Sequence, residues 1–139
     1  MIWTIKVVLY EAFYDDISWE ALIEIDSSSK LDDLHLAIQK FVNFGDDHPY
    51  EFYQSRDVRS KRRVRYTENE NSVYETTLKM LYPLNKGNGL FYLFDYGDQW
   101  IFKITKSRKK ALEPKDKIKY PILVGEKGSK PIQYQGIED

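Results

Sequence analysis

The sequence lacks cysteine and has only two histidines, His35 and His48. Without cysteine the chain forms no disulfide, has no thiolate nucleophile and cannot hold zinc through sulfur. Two histidines leave little for proton transfer or metal binding near neutral pH. The chain also has no P-loop, dinucleotide-type glycine motif, Gly-x-Ser-x-Gly or His-Glu-x-x-His. We therefore predict no catalytic residue, no metal site and no cofactor, and an enzyme is the least favoured class.

Long apolar runs are absent as well. The longest stretch without a charged residue is the eight residues from Gly87 to Phe94, whereas a membrane-spanning helix needs about 20 apolar residues. Residues 2–9 alternate in polarity and do not form the basic start and apolar stretch of a signal peptide. These absences predict a cytoplasmic protein with no membrane partner.

The chain has enough apolar material for one folded domain. Of its 139 residues, 42% are hydrophobic and 15% aromatic, which is too apolar for a disordered chain. Residues 2–10 and 17–26 alternate between apolar and polar side chains, as half-buried strands do. Residues 30–43 repeat apolar side chains at helical spacing after Ser29, a favourable N-cap. Weaker patterns predict strands at 50–54, 90–94, 99–105 and 120–124 and a short helix at 77–82, with Ser72 as an alternative start.

These patterns predict an α+β fold. We expect a mostly antiparallel sheet of about five strands, packed against one main helix, with a short second helix. Residues 55–72 are strongly polar without a stable period, and we expect them to form a loop. The single domain should cover residues 1–124, and residues 125–139 should form a polar, loosely held C-terminal tail.

Charge is balanced overall but unevenly distributed. The net charge is −1, yet residues 1–55 hold 3 Lys and 11 Asp/Glu, whereas residues 56–139 hold 18 Lys/Arg and 11 Asp/Glu. One interpretation is that the two halves attract each other, within the fold or between copies. The other is that the basic half binds an anionic partner.

The strongest local signal is a run of six cations close to Tyr53 and Tyr66: Arg56, Arg59, Lys61, Arg62, Arg63 and Arg65. A second basic cluster follows at Lys106, Arg108, Lys109 and Lys110. Arginine offers paired donors for phosphate and stacks on bases, so a basic loop beside aromatic residues can bind nucleic acid. The alternative is a solvated loop, or one that pairs with the acidic half of the chain.

A second candidate site combines His48 with Asp95, Asp98 and Trp100. The two carboxylates flank a predicted turn and could bind a cation or an amine; the alternative is that they hydrogen-bond the turn while Trp100 fills the core. His48 lies beside Asp46 and Asp47, and it is the best candidate for proton transfer. His35 borders the apolar stripe of the main helix, where a structural role is the usual one.

Several of these residues also carry a resemblance. The helix start Leu31-Asp32-Asp33-Leu34-His35, the extended His48-Pro49-Tyr50-Glu51-Phe52, the pair Thr77-Leu78 and the turn Phe94-Asp95-Tyr96-Gly97-Asp98-Gln99-Trp100 occur in this order. In this, the chain resembles the plasmid pRiA4b ORF-3-like family, from its first strand to about residue 124. The resemblance implies a compact α+β domain from a family often found near insertion-sequence transposases.

The chain departs from the family pattern at several positions. The family often shows His-x-His and a histidine two residues after the tryptophan, whereas Tyr50 and Phe102 stand at those places here. The family's Cys-Pro-Pro-Glu-Asp stretch is absent, and residues 121–136 replace it. These departures count against a metal or catalytic role at those positions.

Three functions remain open from the sequence. The first is a non-enzymatic binding or accessory module associated with mobile genetic elements. The second is a nucleic-acid-binding protein that uses the basic loop 56–65, and the third is a metal-dependent hydrolase. The predicted partner is accordingly a nucleic acid or another protein.

Overall fold

A computed structural model describes residues 1–11 and 17–133, which form one seven-stranded sheet with three helices. The strands are β1 (Ile2–Glu11), β2 (Trp19–Asp26), β3 (Tyr50–Ser55), β4 (Val64–Thr67), β5 (Gly89–Phe94), β6 (Trp100–Lys106) and β7 (Ile122–Gly128). The helices are α1 (Leu31–Val42), α2 (Ser72–Glu75) and α3 (Leu78–Leu81). The strand order is β4-β3-β5-β6-β1-β2-β7, and all neighbouring strands are antiparallel.

The first two strands follow the alternation seen in the sequence. In β2 the buried side chains are Trp19, Ala21, Ile23 and Ile25, and the residues between them are half-buried. In β1, Ile5 lies opposite Ile23 and Val7 opposite Ala21. These cross-strand apolar pairs fix the register, because a shift by one residue would turn every apolar side chain away from the core.

Helix α1 begins one residue later than its expected cap. Lys30 rather than Ser29 is the N-cap, and its backbone N–H donates to the Asp33 carboxylate at 2.9 Å. Asp33 and Asp32 also favour the positive end of the helix dipole. Asn43 ends the helix in the left-handed conformation with a φ of 65°, a C-terminal arrangement that asparagine tolerates.

Helix α1 passes over the middle strands of the sheet. Near its start, Asp32 accepts a hydrogen bond from Tyr50 of β3, and His35 meets Tyr92 of β5. Just beyond its end, Phe44 packs against Trp100 of β6, with ring centroids 5.1 Å apart. The helix therefore covers the main core, which is lined by large aromatic side chains from β3, β5 and β6.

The opposite face of the sheet carries a smaller apolar cluster. Its buried members are Tyr53, Phe91, Leu93 and Ile101, and Val58 from the connection between β3 and β4 packs against them. This cover explains why all six residues of β3 are buried. The middle of the sheet is thus covered on both faces.

The predicted α+β fold with about five strands, one main helix and a short second helix is wrong. Over residues 1–11 and 17–133 the structure is mostly β, with seven strands and a single helix, α1, longer than four residues. The sequence pattern does not predict β4, because it is a short strand at the sheet edge. There Val64 and Arg65 face solvent, and apolar and polar side chains do not alternate. The proposed helix starts at Ser72 and Thr77 prove to be two separate four-residue helices.

The sheet also continues past residue 124, where the sequence suggested the end of the domain. Strand β7 pairs with β2 as far as Gly128, which lies opposite Trp19. Beyond it, Gln133 is buried; its side chain accepts a hydrogen bond from the Gly45 N–H and donates one to Asp47. Residues 125–133 are therefore tied to the folded structure. None of the helices that the structure describes is long and apolar enough to cross a bilayer.

Candidate functional site

The connections at the two ends of the sheet carry opposite charge. The connections 43–49, 68–71 and 95–99 lie at one end and contain six Asp/Glu and no Lys/Arg. The connections 56–63, 82–88 and 107–121 lie at the other and contain twelve Lys/Arg and three Asp/Glu. We call these the acidic end and the basic end. Each antiparallel strand crosses the sheet once and so joins connections at opposite ends, and helices α2 and α3 lead the chain from 68–71 back to 82–88.

The basic end contains two adjoining clefts, and the first has an apolar floor. This aromatic cleft has a volume of about 720 Å³ and lies between the start of β1, the end of β6 and residues 82–89. Its apolar lining comes from Trp3, Tyr82, Leu84 and Ile104. Its cations are Arg56, Lys103, Lys106 and Arg108.

The second cleft has a more polar lining. This arginine cleft, of about 700 Å³, lies beside the connection between β3 and β4, and its cations are Arg56, Arg62, Arg63 and Lys86. Arg56, Gly87 and Asn88 belong to both clefts. Among the residues described, no Asp or Glu lines either cleft, so the two form one continuous basic surface.

The structure divides the six cations that the sequence proposed for nucleic-acid binding. Arg56, Arg62 and Arg63 line the clefts. Arg59 and Lys61 are exposed on the same connection but line neither cleft. The second basic cluster of the sequence contributes Lys106 and Arg108, so two clusters about fifty residues apart meet at one end of the sheet.

Two of the six cations, both arginines, also stabilise the fold. The Arg63 guanidinium lies 3.9 Å from the centre of the Tyr53 ring, and its Nε donates to the Ser60 carbonyl at 2.7 Å. Arg65 lies away from the clefts and binds the buried carboxylate of Glu51 with two guanidinium nitrogens. These hydrogen bonds raise the pKa of Arg65. Arg65 is therefore committed to joining β3 and β4.

The aromatic side chains of the first cleft contact each other. Trp3 and Tyr82 pack edge to face with ring centroids 5.8 Å apart, and the ammonium of Lys106 lies 4.7 Å from the Trp3 ring centre. Trp3 is half-buried and packs against the edge of the main core. The Tyr82 hydroxyl is buried without a hydrogen-bond partner among the described residues, and burial raises its pKa to about 12.

At the acidic end the structure brings His48 and Asp95 together. The His48 Nε2 lies 3.6 Å from an Asp95 carboxylate oxygen. The other oxygen of Asp95 accepts hydrogen bonds from the N–H groups of Gly97 and Asp98, at 3.0 and 3.4 Å. Trp100 is fully buried in the core. Asp95 thus stabilises the turn between β5 and β6, and Asp98 contributes its backbone N–H to this turn.

His35 belongs to a closed ring of hydrogen bonds under α1. Its Nε2 lies 2.7 Å from the Asp46 carboxylate and its Nδ1 2.6 Å from the Tyr92 hydroxyl. Gln39 closes the ring, because its amide donates to Tyr92 and its carbonyl accepts from the Asp46 N–H. The directions agree when Nε2 carries the proton and Tyr92 donates to Nδ1.

Burial determines the chemistry of this ring. The imidazole is 2% exposed and stacks on Tyr50 with centroids 3.6 Å apart. Desolvation lowers the pKa of His35, although the neighbouring Asp46 opposes the shift, and burial raises the pKa of Tyr92. Asp46, His35 and Tyr92 resemble a proton-relay arrangement, but Tyr92 is fully buried and offers no reacting atom to a substrate.

The residues available for a metal do not gather into a site. Within residues 1–11 and 17–133, no group of three or more His, Asp or Glu side chains is placed to hold a metal ion. Tyr50 and Phe102, which replace histidines of the family pattern, are both buried and both pack near Tyr92. Aromatic packing therefore occupies those two positions.

Several cleft residues carry no signal in the sequence. Lys86 and Lys103 are single cations outside the two basic clusters. The sequence pattern places Trp3 in a strand and Tyr82 at the end of a helix. The signal that could have found them is strand direction, because the ends of β6 and β3 and the starts of β1 and β5 must meet in an antiparallel sheet.

Comparison with known proteins gives a match along almost the whole chain. A family model described as plasmid pRiA4b ORF-3-like protein matches residues 3–138. The fold is similar to a crystal structure of a protein of unknown function from Methanosarcina mazei Go1, with a TM-score of 0.71 and 22% sequence identity. That similarity covers 90% of this chain and 68% of the other. A search of curated proteins gives no match.

Proposed function

The chain belongs to the plasmid pRiA4b ORF-3-like family, and from that premise we propose that it is a non-enzymatic module that binds nucleic acid at its basic end. One observation carries the proposal: two basic clusters distant in sequence converge on adjoining clefts that are lined by seven Lys/Arg and, among the described residues, by no acidic side chain. Such a surface favours a ligand with several phosphates in succession.

The continuity of the two clefts favours a polymer over a small anion. Each cleft alone falls within the range of about 300–1,000 Å³ that is typical of small-ligand sites. The side chain of Arg56 lines both, so a chain of phosphates can pass from one to the other without leaving positive charge. The association with mobile genetic elements that the family resemblance implies fits a nucleic-acid partner.

The hydrolase alternative has less support. The carboxylate of Asp95 is engaged by the turn that it closes, and His35 and Tyr92 are buried within their hydrogen-bond ring. Neither arrangement brings a nucleophile and a base together at an open surface.

Binding of labelled oligonucleotides, single-stranded and duplex, tests the proposal by fluorescence anisotropy at a series of salt concentrations. We expect affinity to fall steeply between about 50 and 200 mM salt. The double substitution Arg56→Gln/Arg108→Gln should weaken binding and lower the slope of log affinity against log salt by about 1.4–1.8, because two phosphate contacts are lost.

A matched control removes the same charge elsewhere. Lys79 in α3 and Lys127 in β7 are exposed and line neither cleft, so Lys79→Gln/Lys127→Gln should retain the salt slope of the unaltered chain. If neither oligonucleotide binds at low salt, or if both double variants lose the same slope, the basic end is not the binding site.

A further inference from the structure

We infer that the ligand is single-stranded nucleic acid and that one of its bases enters the aromatic cleft against Trp3 and Tyr82. This inference rests on the proposed function and names the kind of nucleic acid and the residue contacts. It follows from the combination of an apolar floor and a basic rim in one cleft. Duplexes and single strands differ in whether their bases are available to such a floor.

A duplex presents phosphates and groove edges, whereas its base faces are stacked inside the helix. The arginine cleft and the rim of the aromatic cleft suit phosphates. The floor of the aromatic cleft, formed by Trp3, Tyr82 and Ile104, is apolar and does not suit a phosphate. A single strand exposes flat aromatic bases and phosphates side by side, and proteins that bind such strands combine aromatic platforms with a basic groove. The cleft has both elements.

Trp3 is placed to act as this platform. Tyr82 meets the Trp3 ring at an interplanar angle of 84°, edge to face, and Lys106 places its ammonium over the ring. Lys106 and Trp3 are both half-buried, so the contact lies at the cleft surface. A base that stacks on Trp3 replaces a weak cation–π contact with a stronger stacking contact. The displaced Lys106 ammonium can then pair with a neighbouring phosphate.

Arg56 connects the two clefts along the path of the single-stranded nucleic acid. It lies between the clefts, with Lys106 and Arg108 on one side and Arg62 and Lys86 on the other. A base in the aromatic cleft therefore leaves its flanking phosphates within the reach of Arg56 and of the cations on the far rim. The arginine cleft then receives the continuing backbone.

Three oligonucleotides of equal length separate base from backbone: a single-stranded DNA, its duplex, and a single strand whose nucleotides are abasic. All three carry phosphates, but only the first offers free base faces. With the full chain at fixed salt, we expect the base-bearing strand to bind about 5- to 150-fold more tightly than the abasic strand, which is the range for loss of one stacked base. The duplex should also bind less tightly than the single strand.

Intrinsic fluorescence gives a second and independent measurement. The chain has three tryptophans, and Trp19 and Trp100 are buried, so a base stacked at the surface should quench Trp3. The variant Trp3→Leu, checked for a normal thermal transition, should lose this quenching and most of the preference for bases. Tyr74→Leu removes an exposed aromatic side chain outside both clefts and should behave like the unaltered chain.

The outcomes separate the two proposals. If no oligonucleotide binds, the proposed function itself fails. If the abasic strand or the duplex binds as tightly as the base-bearing strand and no quenching occurs, the chain binds phosphates and the base cleft is refuted. The abasic comparison needs no variant, so the test stands even if Trp3→Leu does not fold.

Discussion

His35 can keep its place in the hydrogen-bond ring only while its imidazole is neutral. A second proton, on Nδ1, would point at the Tyr92 hydroxyl, which already accepts from Gln39. The hydroxyl would then have to turn its own proton away from every partner in the ring, and a buried donor without an acceptor is costly. The four residues of the ring therefore hold one protonation state, and burial lowers the pKa of His35 accordingly.

This shift sets an expected pH dependence of stability. The unfolded chain protonates His35 near pH 6.5, about the ordinary value, whereas the folded chain resists protonation until a lower pH. Between the folded-state and unfolded-state pKa values of His35, the unfolded state therefore binds more protons than the folded state. The free energy of unfolding consequently falls as the pH drops below about 6.5. Above that pH this contribution is fully present and constant.

Urea unfolding of the chain and of His35→Gln over a pH series measures the effect. The variant should be less stable at neutral pH, and the difference between the two chains should shrink as the pH falls below about 6.5. Parallel curves at all pH values would show that the neutral imidazole contributes nothing to this dependence.

Among the strands and helices, the edge strand β4 is joined to β3 by an ion pair as well as by backbone pairing. Glu51 of β3 is 2% exposed, and Arg65 of β4 and the Tyr96 hydroxyl both donate to its carboxylate. The Arg65 side chain is 55% exposed, so solvent screens part of the attraction. Loss of the ion pair costs more free energy at the Glu51 carboxylate than at the Arg65 guanidinium, because a buried charge without its partner is strongly unfavourable.

We expect Arg65→Gln to lower the free energy of unfolding by about 2 kcal/mol. Glu51→Gln/Arg65→Gln should recover most of the loss, since it also removes the buried charge. Arg62→Gln, three positions earlier and exposed, is the control and should change stability by less than about 0.5 kcal/mol. Equal losses for the single and the double variant would show that the arginine stem, and not the charge pair, holds β4.

The end of β7 depends on a glycine. Gly128 has a φ of +81°, and a Cβ added there would overlap the carbonyl oxygen of Ser18 and crowd Trp19. The Ser18 carbonyl also accepts a hydrogen bond from the Ser129 N–H at 3.0 Å. The backbone of Gly128 therefore lies too close to the backbone of Ser18 and Trp19 for a residue with a side chain at position 128.

The substitution Gly128→Ala should therefore cost more than the strain of positive φ alone. Gly87 is the matched control, because its φ is +82° but nothing lies within 4 Å of an added Cβ; Gly87→Ala should cost only about 1–2 kcal/mol. Chemical unfolding gives both values, and faster amide exchange at Ser129 should accompany the larger one. Equal costs would mean that the strand end moves aside freely.

These elements show how far the sequence could predict the fold. Strands β1 and β2 and helix α1 were predicted because each has one buried face, which produces an alternating or helical pattern. Strand β4 and the end of β7 lie at the sheet edges, where Arg65 and Lys127 replace apolar side chains, so no pattern marks them. Gln133 is held by Gly45 and Asp47, and contacts so distant in sequence leave no local trace.

For the whole molecule, the sequence showed the charge imbalance and the two basic clusters, but not that they share a surface. Their meeting depends on strand order, since β3 and β6 are separated only by β5 and both end at the basic end. The same order places Arg65 on the strand beside Glu51 and away from the clefts. Residue type thus indicated a basic surface, and strand order determines which of its cations line the clefts.

The separation of charge between the ends of the sheet also makes the whole molecule a dipole. In the field of a polyanion such a body experiences a torque, which turns its positive pole forward before any atoms touch. Ions shorten the range of this alignment to about 8 Å at physiological ionic strength. Within that distance the six carboxylates of the acidic end turn away from a polyanion, so a larger share of collisions begins with the basic end forward, the orientation that the proposed function requires.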